Sequence, residues 1–561
     1  MNQDLSNSTM NLNHLVHLGQ EYFTWLNNFL CEPNGWPRFS QAHQAWCDDM
    51  IKLWNQEELS SAEVEASGFL KPAKDDKRFK FNEWQSKHYF KFLQQMYLLN
   101  AKHIFRFIDE NKTSDRKLNR KIDFVTKQFL DALSPSHTIF TNPEVLKATI
   151  DTNGENLRNG LQNFLSDMIR SQDIFSIQMT DSSAFELGYH LAATPGEVIF
   201  ENDLMQLIQY HPTTEMVLEK PILIIPPWIN KYYILDLKPD NSLVKWLVDE
   251  GYTVFMISWV NPDSLLRNKG FEDYLFEGPL AALEMIEQRI GQMPVDLVGY
   301  CLGGTLLSIL LGYLKDSHRI ASATFLTTLI DFSDTGDIEV FVDEAQVKAI
   351  EARMAEKGYL DGRLINQTFS MLRANDLFWN YFVQNYLLGR TPPPFDLLYW
   401  NSDATNMPEK MHSYYLRNMY LENNLIQGKL KVNDYSIDLT TVKIPACFIS
   451  TELDHIAPWK TTYQGALALR GPTTFVLGGA GHIAGVVNPP KNNKYGFRVH
   501  PGKLLPNSAE VWFNEATCYE GSWWRYWQSW LKSLSSNQVP KRIVQNGIEP
   551  APGRYVRKKV S

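Results

Sequence analysis

The chain is poor in cysteine, in charge of one sign and in long apolar runs. Five cysteines are spread through 561 residues: Cys31, Cys47, Cys301, Cys447 and Cys518. Their number is odd, their spacings are wide and no C-x-x-C pair occurs. That excludes a disulfide framework and a cysteine-based zinc site, and suits a reducing cytoplasm. A basic excess is missing too. The formal charge is −9 and the pI about 5.9, so no nucleic-acid surface is expected. No apolar run approaches the roughly 20 residues that span a bilayer. The start, Met1-Asn2-Gln3-Asp4-Leu5-Ser6-Asn7, has neither the basic nor the apolar region of a secretory leader. The expectation is a soluble protein with no membrane span. What is present is apolar and aromatic mass: 44% hydrophobic and 13% aromatic residues. That excludes disorder and suits a protein that handles apolar material. The length allows a large core and two domains or more.

Residues 1–178 read as a helical amino-terminal domain. Leu12, Leu15, Leu18, Tyr22, Phe23 and Leu26 recur at helical spacing, as do Tyr97, Leu98, Ala101, Ile104, Phe105 and Ile108. From 179 to 561 apolar strand-like runs alternate with helical ones. Ile222–Ile225, Thr253–Trp259, the run ending Val295-Asp296-Leu297-Val298, Ala323–Ile330, Ala446–Ser450 and Thr474–Leu477 are the strands, and residues 273–290 read as a helix with Leu275, Leu280, Leu283, Ile286 and Ile290 on one face. Such alternation predicts an α/β fold, a parallel sheet covered by helices on both faces. Residues 332–440 break the rhythm. They are helical and rich in aromatics (Phe378, Trp379, Tyr381, Phe382, Tyr386, Phe395, Tyr399 and Trp400) and read as a cap inserted over an active site.

The sharpest motif is Gly299-Tyr300-Cys301-Leu302-Gly303-Gly304, set between a strand and a helical run. Strand, tight turn and helix make a nucleophile elbow, the mark of an α/β-hydrolase fold. Cysteine stands where hydrolases usually carry serine, and a thiolate suits attack on thioesters. A buried cysteine beside a helix-packing glycine pair is the bland alternative, so the rest of the constellation decides. In this fold the order along the chain is nucleophile, acid, histidine. Asp454 follows the strand ending Ile449-Ser450, and His482 follows the next, in Gly479-Ala480-Gly481-His482. Cys301, Asp454 and His482 therefore have the right order, each just past a strand end. Asp331 is the rival acid and His455 the rival base; adjacent residues after a strand point apart, which sets His455 behind Asp454 as a wall. The oxyanion needs two backbone donors. One is the N–H of Leu302; the other comes from Pro226-Pro227-Trp228-Ile229-Asn230, at Trp228 or Ile229, with Ile229 taken as the candidate.

Further segments carry a resemblance. Pro226-Pro227-Trp228-Ile229-Asn230-Lys231-Tyr232-Tyr233-Ile234-Leu235-Asp236-Leu237, Phe395–Asp403, Gly481-His482-Ile483-Ala484-Gly485 with Asn488-Pro489-Pro490, and Gly521-Ser522-Trp523-Trp524 resemble the single-chain, class I polyhydroxyalkanoate synthases. So do Phe185–Gly188, Thr194-Pro195-Gly196, Leu207–Tyr210, Pro212-Thr213-Thr214, the tail Pro550–Val556 and, upstream, Arg78-Phe79, Trp84 and Asn142-Pro143-Glu144. The likeness covers roughly residues 75–561; Trp228 is bulkier than the family pattern at its place. What the resemblance implies is polymerisation of (R)-3-hydroxyacyl-CoA, short-chain 3-hydroxybutyryl-CoA in particular, into a polyester with release of CoA. No metal or redox cofactor is implied. Cys301 holds the acyl or growing chain as a thioester, His482 deprotonates Cys301, and Asp454 helps activate the attacking 3-hydroxyl. The implied partners are the growing chain and polymer granule surface, a second copy in a homodimer, and granule-coat proteins, in the cytoplasm.

Three other functions fit parts of this pattern. A cysteine hydrolase of the dienelactone-hydrolase kind shares the elbow but is much shorter, without the helical domain or the cap. An esterase or depolymerase would use water as acceptor. A granule-surface structural protein on a dead hydrolase scaffold has no need of Cys301, Asp454 and His482 together.

Overall fold

Helix ends explain why the amino-terminal third is helical. The computed structural model describes residues 5–55, 70–73, 76–171, 176–315, 318–502 and 504–560. The side chains of Leu12 and Leu15, and residues 1–4, lie outside what is described. Residues 1–181 and 367–393 make one compact unit; 182–366 and 394–561 make the other. The first unit holds α1 (Leu5–Cys31), α2 (Gly35–Trp54), α3 (His88–Glu110), α4 (Arg116–Ala132), α5 (Pro143–Asp151) and α6 (Glu155–Ser171). Asp115 caps α4 by accepting from the N–H groups of Lys117 and Leu118. Asn142 does the same for α5 from Glu144 and Val145, with Pro143 at the first helical position. Asn142-Pro143-Glu144 is therefore a helix start. The predicted stripe on α3 points inward: Ile108 packs with Trp25 and Ile122, and Tyr97 with Phe79 and Trp84.

The 367–393 excursion belongs to this unit through polar side chains. The Asn156 side-chain amide donates to Leu387 O at 2.8 Å, and Asn163 donates to Asn385 O at 2.9 Å. The Tyr386 hydroxyl donates to Asp167 Oδ2 at 2.8 Å. The chain leaves the excursion at Pro392-Pro393-Pro394, where proline cannot continue a helix. The insertion at 332–440 is thus divided between the two units.

The second unit is built on eleven strands: β1 (Gly196–Glu201), β2 (Met205–Tyr210), β3 (Ile222–Ile225), β4 (Val254–Trp259), β5 (Val295–Tyr300), β6 (Ile320–Leu326), β7 (Ala446–Thr451), β8 (Thr473–Gly478), β9 (Phe497–Val499), β10 (Thr517–Tyr519) and β11 (Glu549–Pro550). Their order across the sheet is β10-β9-β8-β7-β6-β5-β3-β4-β2-β1-β11. The central six, β8 to β4 in that order, are parallel; the outer five pair antiparallel. Burial on both faces is why β3, β4, β5 and β7 are apolar runs rather than alternating ones. The main helices are α7 (Leu243–Asp249), α8 (Ala281–Ile290), α9 (Leu302–Leu314), α10 (Glu344–Lys357), α11 (Trp459–Ala468) and α12 (Trp524–Leu534). Two elements differ from their sequence expectation. The strand predicted to reach Ile330 stops at Leu326, because Thr327 takes φ 42° and turns the chain off the sheet. The helix predicted over 273–290 is interrupted at Gly278-Pro279, where a π-helical turn joins two pieces.

Candidate active site

The turn between β5 and α9 is sharp. Cys301 sits at φ 51° and ψ −120°, a left-handed conformation a non-glycine residue adopts only under constraint. Its N–H donates to Leu326 O at 2.9 Å on β6, and its carbonyl accepts from the Thr328 hydroxyl at 3.2 Å. The glycines are required by close approach. A β-carbon on Gly303 would run into the Ile225 carbonyl, and one on Gly304 into the Thr328 side chain. α9 therefore starts hard against the end of β3. A β-carbon on Gly303 would also meet the backbone of Pro226, so the start of α9, where Leu302 stands, abuts the loop that begins there. Among the described residues, no backbone or side-chain acceptor takes the N–H of Leu302, Trp228 or Ile229.

Asp454 lies just past β7 and His482 just past β8, beside β6 and β5 in the sheet. The structure brings them together: His482 Nδ1 and Asp454 Oδ2 are 2.7 Å apart, with the carboxylate fully shielded from solvent. The other oxygen of Asp454 accepts from the N–H groups of Ile456 and Ala457, at 2.9 and 2.8 Å. The carboxylate is thus fixed before it orients the imidazole. Burial alone would push the His482 pKa down. The charges of Asp454 and Cys301, with hydrogen bonds to both, overcome burial and hold it well above the usual histidine value. Cys301, His482 and Asp454 so form a linked set. The rival acid is engaged elsewhere: Asp331 Oδ1 accepts from Asn423 Nδ2 at 2.8 Å and from the Ser333 N–H at 2.9 Å. His455 uses its carbonyl to accept from Asp337.

Sequence reading missed what holds the histidine loop. The indole N–H groups of Trp523 and Trp524 donate to Gly485 O and Val486 O, at 2.8 and 2.9 Å. The Ser522 hydroxyl donates to Asn488 O, and the Asn488 side chain closes the loop on Lys494 O at 2.8 Å. The Gly521–Trp524 motif is thus a scaffold for His482. The signal was there, since buried indoles need acceptors and an irregular loop offers carbonyls.

Of the cap aromatics singled out, Trp379 stacks on His137 at 4.6 Å and Tyr386 meets Phe164 at 5.4 Å, both within the first unit. Burial drives up the pKa of the Tyr415 and Tyr420 hydroxyls, and the titration of each also feels the Cys301 charge, which sets both rings within electrostatic reach of the elbow. Phe332 lies 5.2 Å from Tyr420, and the bulky Trp228 lies 5.9 Å from Tyr415. Trp228 fits because Phe271 and Tyr274 frame it edge-on and tilted, at 5.8 and 5.7 Å.

An α/β-hydrolase fold with a cysteine at its elbow is the class that sheet and turn define. The family profile for the alpha/beta hydrolase fold matches residues 221–489. The profile described as Poly-beta-hydroxybutyrate polymerase (PhaC) N-terminus matches residues 75–247. A poly(3-hydroxyalkanoate) polymerase of Methylorubrum extorquens is 47% identical over 497 residues, covering 87% of this chain and 82% of that one. The poly(3-hydroxyalkanoate) polymerase subunit PhaC of Cupriavidus necator is 41% identical over 532 residues, covering 92% and 88%. A solved bromoperoxidase from Bacillus anthracis covers 52% of this chain and 94% of its own length at 14% identity, with a TM-score of 0.29, too loose a likeness to add to the fold above. The chain belongs to the poly(3-hydroxyalkanoate) polymerase family and is an acyltransferase enzyme. Among the described residues no helix is long and apolar enough to cross a membrane.

Proposed function

We propose that this protein polymerises (R)-3-hydroxyacyl-CoA through a thioester on Cys301. The observation that carries the reading is the cysteine held in a strained turn and linked to a shielded His482–Asp454 pair. His482 takes the proton from Cys301 Sγ, and the thiolate attacks the acyl carbonyl. The oxyanion is met by the N–H groups of Leu302 and Ile229, each such donor worth roughly 3–4 kcal/mol in the transition state. The C–S bond to CoA breaks, CoA leaves with the proton from His482, and the acyl group stays on Cys301. The 3-hydroxyl of a second unit then gives its proton to His482, aided by Asp454, and attacks the thioester. An ester forms, and the Cys301 thiolate departs and recovers a proton. Tyr415, Tyr420, Phe332 and Trp228 make an apolar wall that keeps water from competing as acceptor. Their bulk favours short acyl chains such as 3-hydroxybutyryl. No cofactor beyond the CoA thioester is needed for these steps. The working form proposed is a cytoplasmic homodimer that moves with its product to the polymer granule and meets granule-coat proteins there.

The test is CoA release from (R)-3-hydroxybutyryl-CoA with product size followed in the same tube. Thiol release with growing high-mass polyester is expected. Thiol release with only free 3-hydroxybutyrate would make water the acceptor and overturn the reading.

A further inference from the structure

Lys231 follows directly on the loop assigned to the oxyanion, and it is only 4% exposed. Its amine donates to two backbone carbonyls of the carboxy-terminal tail, Val556 O and Lys558 O, at 2.7 Å each. Its own carbonyl accepts from the Trp400 indole at 2.7 Å, on the cap helix Asp396–Ser402. One residue thus ties the loop to the tail and to the cap. The tail is anchored independently of it. Asn261 Nδ2 donates to Lys558 O at 3.3 Å, and the Tyr555 hydroxyl donates to Asn202 O at 2.7 Å. Lys558 pairs with Asp263 at 2.9 Å. Lys559 pairs at 3.0 Å with Asp403, which also accepts from the Tyr233 hydroxyl at 2.9 Å.

Burying a lysine amine is costly unless its donors are met. Here burial pushes its pKa down to about 8. With two protons or three, the amine can still serve both carbonyls. The arrangement fixes the backbone of Lys231 two residues after Ile229, so the loop's unengaged N–H groups are held from their carboxy-terminal side. A donor in an oxyanion hole acts only if it stands where the charge will develop, before the charge is there.

We propose that Lys231 is a positioning residue for acyl transfer, and that residues 553–560 are a strap that fixes the oxyanion loop through its amine. The proposal rests on the reading of Cys301 and its loop given above. Lys231→Met keeps the aliphatic stem and removes both donations. Deletion of 553–561 removes both acceptors and leaves Lys231 and β11 in place. CoA release from (R)-3-hydroxybutyryl-CoA and alkylation of Cys301 by iodoacetamide are measured on each. The expected result in both variants is kcat lowered about ten- to a hundred-fold, KM within about two-fold, and Cys301 alkylated at the wild-type rate. Unchanged alkylation reports an intact Cys301–His482 pair, which a general loosening of the fold would not leave. Turnover by either variant within about two-fold of wild type overturns the proposal. So does a parallel loss of alkylation and turnover, which marks a structural role only. Wild-type CoA release, and its absence in Cys301→Ala, check the underlying reading in the same assay, so a failure there is told apart from a failure of the strap.

Discussion

At the residue scale two carboxylates and one imidazole decide the chemistry. Asp454 holds His482 at 2.7 Å, whereas Asp331 is bound to Asn423 and the Ser333 N–H. Asp454→Asn is therefore expected to release CoA from the first substrate and then elongate poorly, while Asp331→Asn polymerises like wild type. Polymer mass against time checks both, and the reverse pattern would hand the role to Asp331. The raised pKa of His482 has a consequence for stability with a definite sign. A group whose folded pKa lies above its unfolded value stabilises fully below the unfolded value, about 6.5 for histidine, and loses that contribution as pH rises through the folded value. Urea unfolding of wild type and His482→Gln should show the wild-type advantage shrinking above about pH 6.5, by at most about 1.4 kcal/mol per pH unit. A pH-independent difference would mean that the imidazole is not charged in the fold.

At the scale of elements, the elbow and the strand ends were legible, and the reason is physical. A tight turn against a neighbouring strand tolerates only glycine at Gly303 and Gly304, so chemistry and sterics write one motif. Strands buried on both faces are apolar runs that punctuation exposes. The outer antiparallel strands were not legible. β2 carries Gln206 and Gln209 fully inside, Gln206 bonded to Glu201 Oε2 at 2.7 Å and to Glu549 Oε1 at 2.5 Å, which hides any apolar pattern. Nor was the lining of the site. Tyr415 and Tyr420 look like any other cap aromatics, and nothing in the residue pattern marks the passage from helix to π-helical turn at Leu416–Leu421, on which Tyr420 lies. The histidine loop is an element whose shape depends on tryptophan donors. Trp523→Phe keeps the ring mass and removes the bond to Gly485 O. The expected cost is about 1–3 kcal/mol of stability, with slower alkylation of Cys301 as His482 loses its fixed place. A folded variant with wild-type alkylation would show that the loop holds without the indole.

At the scale of the whole molecule, the chain is two compact units that exchange a segment. Residues 367–393 leave the hydrolase unit's sequence and take their partners from Asn156, Asn163 and Asp167. A chain lacking the amino-terminal helices leaves the Leu387 and Asn385 carbonyls without their donors and the Tyr386 hydroxyl without its acceptor. Limited proteolysis should then cut within 367–393, while the full chain is expected to resist cleavage there. Equal protection in both would mean that the segment is ordered by other contacts. The family assignment holds for the chain as a whole, since its relatives are covered over most of their length.

The central claim is that the acyl group is carried on Cys301. It is tested most directly with butyryl-CoA, which has an acyl carbonyl but no 3-hydroxyl and so can acylate without elongating. Intact-protein and peptide mass spectrometry after a short incubation should find a butyryl adduct on the Cys301 peptide, removed by hydroxylamine and absent in Cys301→Ala. CoA release with the adduct on another residue, or undiminished adduct in Cys301→Ala, would contradict the account.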